Sequence, residues 1–486
     1  MVQSQEKLLR LPLAGLFSVY VLAPLPVGSN LDWAWLILAA IIFLLIAIWC
    51  LQYLRNQVTV TSVIASPLCR ASIVFFLCAL LWQGLQALPI PVDWLDKLPS
   101  PAAQLYRQTY AVIAPQAAPE WAAISVDASV TAKMALRSVS YFSLFMLLLL
   151  LIGSRKRLLL FCYVLLVSGL FQALYGSLMT LSGMEYLLGV KKLDYLGYAT
   201  GTFVNRNHFA GYLEMTLAVG MGLLMVRSKS KEHTEIVGQG WRRRLRQLLN
   251  LVLSSKAIFR LILIVMVIGL ILSRSRMGNG AFFNSLLITG FIAIMVSSAF
   301  RKPGVYLLLL SIIAIDVFLL GSWFGLEKVV QRMEQTSIAS EERDDVDQGL
   351  LPMIEDFNWV GSGAGTFEYA FPAYVSGNYG GYDHAHNDYL ELLSDLGVIG
   401  FSCLAGLVSI SLWQALKALR YRRSSFVRGM GFAGFMGTLS LLIHSSVDFN
   451  LQIPANAMLF IAMLAIPSIA LSVDKNQLKV NSEFEK

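Results

Sequence analysis

His386 lies in the run His384-Ala385-His386-Asn387-Asp388-Tyr389-Leu390-Glu391, where the longest polar loop of the chain meets an apolar segment. Imidazole titrates near neutrality, so His386 could take a proton from a hydroxyl as a general base. An ordinary interfacial histidine is the alternative. Asp388, with Glu391 three residues on, has the spacing of a capping box and needs no functional role. Cations and imidazoles recur at three other junctions. Arg206 and His208 lie in Asn205-Arg206-Asn207-His208, Arg274 and Arg276 in Ser273-Arg274-Ser275-Arg276, and His444 in His444-Ser445-Ser446-Val447-Asp448. Guanidinium forks suit phosphate oxygens through paired hydrogen bonds. Helix starts at Asn207 and Asn387 would add oriented N–H donors. His444 and Asp448, four residues apart, fit either an orienting carboxylate–imidazole pair or a plain helix-end hydrogen bond. His208, His384, His386, His444 and Asp448 could suggest zinc. With no HExxH motif and no cysteine nearby, no metal is expected.

These junctions can meet only if the intervening segments bring them to one side of a membrane. The 486-residue chain is 56% hydrophobic and 14% charged, with mean hydropathy +0.64. Apolar runs recur along its length, which reads as an all-α polytopic membrane protein. Twelve spans are expected, at roughly 11–28, 33–54, 71–90, 138–153, 157–181, 207–227, 257–273, 277–299, 303–323, 389–415, 427–445 and 454–472. The first run lacks a small-residue cleavage site, so no signal peptide is expected. With both termini in the cytoplasm, the inner segments hold 26 of the 38 Lys and Arg. That positive-inside bias accounts for most of the +8 net charge, and no nucleic-acid partner is expected.

This orientation puts Arg206, His208, Arg274, Arg276, His386, His444 and Asp448 on the outer face. A lone interfacial arginine can snorkel to the headgroups. That explains Arg274 and Arg276 less well, because their turn is very short and on the face that basic residues avoid; an anionic outer ligand explains them better. Cys50, Cys78, Cys162 and Cys403 fall within spans and Cys69 in an inner loop, so no disulfide framework is implied.

Two outer loops are long, about 91–137 and 324–388. The second should be partly helical, at Leu326–Gln335 and Glu341–Asp356, and carries 12 acids against 3 bases over 327–388. Its turn Gly361-Ser362-Gly363-Ala364-Gly365 lacks the Gly-Lys-Ser/Thr of a P-loop. The basic inner loop 228–256 should lie on the lipid surface. The chain therefore divides into 1–200 (first spans and first outer loop), 201–323 (spans with the arginine motifs), 324–388 (large loop), 389–472 (last spans) and a tail, 473–486.

Gly201–Leu213, Ser275-Arg276-Met277-Gly278, the loop closing in His386-Asn387 with Gly397-Val398-Ile399-Gly400, and His444–Pro454 together resemble the bacterial O-antigen ligase and O-antigen polymerase superfamily. Their order, spacing and common placement carry the resemblance, which covers roughly 200–460. It implies a GT-C-like, cofactor-free inverting glycosyltransferase of the inner membrane, with a large periplasmic loop. The implied donor is a glycan on undecaprenyl diphosphate, and the acceptor a glycan, lipid A-core or protein. Membrane lipid and a chain-length regulator are further implied partners. By resemblance, His386 is the base on the acceptor hydroxyl and Arg276 an arginine on the diphosphate. Relatives place their first arginine near the position of Tyr198 and have Asn-Pro-Asn where this chain has Asn205-Arg206-Asn207, which makes Arg206 the nearest candidate. Polymerase and ligase differ only in acceptor. A transporter would need polar groups through the membrane, yet the spans are mostly apolar at mid-depth, with exceptions such as Glu214 and Asp316.

Overall fold

The computed structural model describes residues 7–116, 119–227, 255–301, 306, 310, 349–375 and 382–484. Nearly all of the expected ninth span and of the inner loop, and the stretch of the large loop holding Leu326–Gln335, lie outside them. The principal helices are α1 (Arg10–Leu22), α2 (Asp32–Leu54), α3 (Pro67–Ala87), α4 (Ala102–Ile113), α5 (Ala128–Leu151) and α6 (Arg155–Ser182). They continue with α7 (Arg206–Arg227), α8 (Ser255–Leu272), α9 (Arg276–Val296), α10 (Asp388–Tyr421), α11 (Ser425–His444) and α12 (Pro454–Phe484). Among the described residues nine helices are long and apolar enough to cross a membrane, with α1 and Ala257–Leu272 as shorter apolar helices. The chain is a multi-pass helical membrane protein.

Helices α7, α11 and α12 form the centre of the bundle and are buried along most of their apolar length. Water gives no drive for helix association in lipid, so close backbone packing does that work. Gly222 on α7 and Gly429 on α11 cross face to face. A Cβ on Gly222 would lie 2.3 Å from the Gly429 carbonyl oxygen, and one on Gly429 2.5 Å from that of Gly222. This crossing fixes the depth at which the loop ends of α7 and α11 meet.

Three boundaries differ from the sequence reading. The fourth span is expected at 138–153, but α5 starts at Ala128, where Asp127 caps it by accepting from the Ser129 and Val130 N–H groups. Its first turns are polar, so hydropathy sees only the later part. Cys69 is not in a loop: it is buried in the first turn of α3, which Pro67 opens at N1. The tenth span is broken at Gly397, with φ 62° and ψ 179°.

The carbonyls freed by that break are taken up by the glycine turn of the large loop. Ser362 N–H donates to Ser394 O and Gly363 N–H to Asp395 O, both at 2.9 Å, while Val398 N–H donates to Asn358 O at 2.7 Å. From α3, Gln86 Nε2 donates to Val360 O and Asp395 O, and Trp82 Nε1 to Leu396 O. The turn is thus a structural clasp. The two long loops fold together over this end of the bundle: Leu350, Met353, Phe357, Phe367, Phe371 and Ala385 share a small core, against which Leu105 and Val126 pack.

Candidate active site

The first half of the site is built on the loop between α6 and α7. Lys192 is buried there, and its ammonium donates to the Tyr195 and Tyr198 carbonyls, both at 2.9 Å, and pairs with Glu185 at 2.9 Å. The other Glu185 oxygen accepts from Gly197 N–H. This lysine fixes the two tyrosines. The Arg206 guanidinium lies 4.2 Å from the Tyr198 ring centroid and 5.8 Å from that of Tyr195, and Arg274 lies 5.6 Å from the Tyr198 centroid. The two cations share one aromatic ring. Within about 10 Å of each other, they repel by at least about 1.7 kcal/mol at an effective dielectric of ~20 before solvent screening. Among the described residues neither has a carboxylate within ion-pair distance. An anion between them would remove that repulsion.

Arg276 opens α9 beside this pair, exposed, with Ser275 as N-cap accepting from Gly278 N–H. A Cβ on Gly278 would sit 2.4 Å from Ala210 Cβ and 3.3 Å from His444 Cε1. Glycine therefore lets the arginine turn press against α7 and the tip of α11. Asn205 is the N-cap of α7, accepting from Asn207 N–H at 2.8 Å. At α10 the cap is Asn387, which accepts from Tyr389 and Leu390 N–H, while Asp388 N–H donates to Ser445 O and Asp448 O. The Asn207 N–H and the first three N–H groups of α10 are thus already occupied.

The second half gathers four of the chain's five histidines. Phe449 is its hub: His384 stacks on it with centroids 4.4 Å apart, and His208 and His386 meet it edge-on at 4.6 and 4.8 Å. Asp448 faces His208 Nε2 at 3.6 Å and His444 Nε2 at 3.9 Å. Behind it, His444 Nδ1 is hydrogen-bonded to Glu214 of α7, whose other oxygen accepts from Ser440. His444 and Asp448 do not share a helix face, because α11 ends at His444; they face each other across a turn at 3.9 Å. Burial works against the Asp448 carboxylate, but His208 and then His444 hold it well below the usual carboxylate range. At 3.6 Å that attraction is one of charge.

Asp388 and Glu391 are not a capping box. The Asn387 side chain takes the cap, which moves Glu391 to N4 and frees both acids for other contacts. Glu391 holds His384 Nδ1 and Ala385 N–H, both at 2.8 Å. Burial lowers the His384 pKa, but the hydrogen bond and charge of Glu391 outweigh it and raise the imidazole above its ordinary value. Asp388 accepts from Ser445 Oγ at 2.7 Å and Leu451 N–H at 3.1 Å, tying α10 to the turn that carries Phe449. Between these anchors His386 has φ +52° and is half-buried. A left-handed non-glycine residue costs roughly 1–2 kcal/mol, which the two carboxylate clamps offset.

Arg206, Arg274, Arg276, Asn205, Asn207, His208, Asn387, His386, His444 and Asp448 therefore all lie at the same end of the bundle. Lys192, Tyr198, Glu391 and Phe449 also stand among these residues; nothing in their sequence context marks Lys192 or Phe449, and Glu391 reads there only as a capping residue. Glu214 was visible as a carboxylate inside an apolar span, which is by itself a functional signal. Among the described residues no group of three or more His, Cys, Asp or Glu is arranged to hold a metal ion.

No curated protein matches the chain. The family model described as O-antigen ligase matches residues 261–405, a stretch that includes Arg274, Arg276, His386 and the break at Gly397. That match indicates activity of the O-antigen ligase and polymerase type, on lipid-linked glycan and an acceptor, and it supports the resemblance to the O-antigen ligase and polymerase superfamily.

Proposed function

We propose that this protein is a metal-independent inverting glycosyltransferase of the bacterial inner membrane, acting at its periplasmic face on glycan carried by undecaprenyl diphosphate. Arg206, Arg274 and Arg276 hold the diphosphate. His386 takes the proton of the acceptor hydroxyl as its oxygen attacks the anomeric carbon. The bond from that carbon to the diphosphate breaks, and undecaprenyl diphosphate leaves with its charge held by the guanidinium groups. His384, clamped by Glu391, and Phe449 set the position of His386, while His208, His444 and Asp448 fix the turn beneath it.

The observation that carries this reading is the juxtaposition on α7: Arg206, in the arginine group, stands two residues from His208, which shares Phe449 with His386. A phosphate-binding cluster and an imidazole that can act as base are thereby adjacent. A transporter would place its cations along a path through the bundle, whereas these gather at one end.

The leading acceptor is a second lipid-linked repeat unit, making the protein a polymerase of O-antigen or exopolysaccharide. Ligation of finished glycan to lipid A-core or protein is the second reading, favoured by the description of the matching family. Glycan analysis of a deletion strain separates them. A polymerase leaves single units and a ligase leaves long unattached polymer; unchanged, attached glycan would contradict both.

A further inference from the structure

A cavity of about 400 Å³ lies between α3, α5, α10, α11 and α12, on the bundle side of the histidine cluster. It falls within the range of small-ligand pockets, about 300–1,000 Å³. Its walls are apolar, with Ala79, Phe401, Leu404, Ala457 and Phe460 among them. Neither α7, α8 nor α9 contributes to its lining, so the arginine group stands apart from it.

Polar side chains line this cavity as well, with Asp388 and Asp395 toward the start of α10. Gln83, Tyr141, Asp388 and Asp395 line it, and each has a buried oxygen with no hydrogen-bond partner: Gln83 Oε1, Tyr141 OH, Asp388 Oδ1 and Asp395 Oδ1. Asp388 and Asp395 are only 1% and 3% exposed. A buried polar group without a partner is destabilising, so four lining one cavity call for a ligand that brings donors. The partner oxygens are already committed: Asp388 Oδ2 to Ser445 and Leu451, and Asp395 Oδ2 to Gly365 N–H at 2.7 Å. The helix break at Gly397, clasped by the glycine turn, fixes Asp395. Both carboxylates are therefore pinned with one oxygen to spare.

We infer that this cavity is a lipid site on the acceptor side, which takes an aliphatic chain along its apolar walls and presents a hydroxyl-rich headgroup to Asp388 and Asp395. Hydroxyls supply the donors that the orphaned oxygens need. Asp388 is also correctly placed, since it is two residues from His386 and Ser445 adjoins His444. The assignment of this lipid as acceptor rests on His386 being the base.

The test uses the full-length protein in phosphatidylcholine nanodiscs with a dodecyl glucoside carrying a photoreactive group in its chain. Farnesyl diphosphate binding and His386-dependent glycan transfer are measured alongside. Saturable labelling of α10 and α12 is expected, competed by dodecyl glucoside and not by dodecylphosphocholine, which lacks hydroxyls. Ala79→Phe and Ala457→Phe, filling the space from separate walls, should each lower labelling at least tenfold with farnesyl diphosphate binding unchanged. Asp395→Asn should lower it severalfold. Melting temperatures identify a misfolded variant, and the other wall then serves. Absent saturable labelling, or labelling indifferent to both fillings, overturns the site; if transfer still depends on His386, the glycosyltransferase reading stands. Labelling of the cavity in a protein with no His386-dependent transfer overturns that reading and the acceptor assignment with it.

Discussion

The arginine and histidine halves of this site are only two residues apart on α7, yet they handle charge in opposite ways. Arg206 and Arg274 rest on a tyrosine ring, and among the described residues no carboxylate pairs with either. His208, His384 and His444 each face a carboxylate, and His386 is held between the anchors of Glu391 and Asp388. One half is incomplete without an anion. The other is already faced by carboxylates and fixed, as the proposed proton transfer requires.

This contrast sets the order of expected effects. His386→Ala should cost the most, about 10²- to 10⁴-fold in turnover with donor affinity retained, as steady-state kinetics and separate donor binding would show. Glu391→Ala removes the clamp on His384 and Ala385 and should lower turnover on the order of tenfold to a hundredfold, with Glu391→Gln milder. Arg206→Ala should weaken donor binding about tenfold or more, and Arg206→Lys less, since lysine keeps charge without the fork. Arg276 should follow the same order. Tyr198→Leu should weaken binding only a few-fold, roughly the 0.5–1 kcal/mol of an exposed cation–π contact. If the histidine variants changed affinity and the arginine variants changed only turnover, the division between the halves would be wrong.

The pH dependence has a definite sign. The His384 pKa is raised in the folded protein by Glu391, so the imidazolium–carboxylate pair adds stability fully below the unfolded histidine pKa. That contribution fades as pH rises through the folded value. Asp448 is the reverse case: its lowered pKa adds stability at neutral pH that is lost only in strong acid. Melting temperature should therefore decline from mildly acid to alkaline pH by a component that Glu391→Gln abolishes. An unchanged pH slope in that variant would show that the pair does not form.

Hydropathy made the helical membrane architecture legible, because lipid imposes length and apolarity on every span. The site's outline was legible for the same reason: arginine and histidine at span ends stand out against an apolar background. The connections were not. Asp388 and Glu391 matched a capping box by spacing, but Asn387 outcompeted Asp388 for the cap, and no local rule ranks those neighbours. Phe449 was one aromatic among many, and its role depends on three histidines from distant segments. The glycine turn at 361–365 and the break at Gly397 each read as local features, although each supplies what the other lacks.

The central claim is that His386 removes the acceptor proton while the arginines hold the diphosphate. Its most direct test is glycan transfer by the purified protein from an undecaprenyl-diphosphate donor, comparing wild type with His386→Ala that is folded and still binds donor. The account predicts loss of transfer with donor affinity intact. Full turnover in that variant would contradict it.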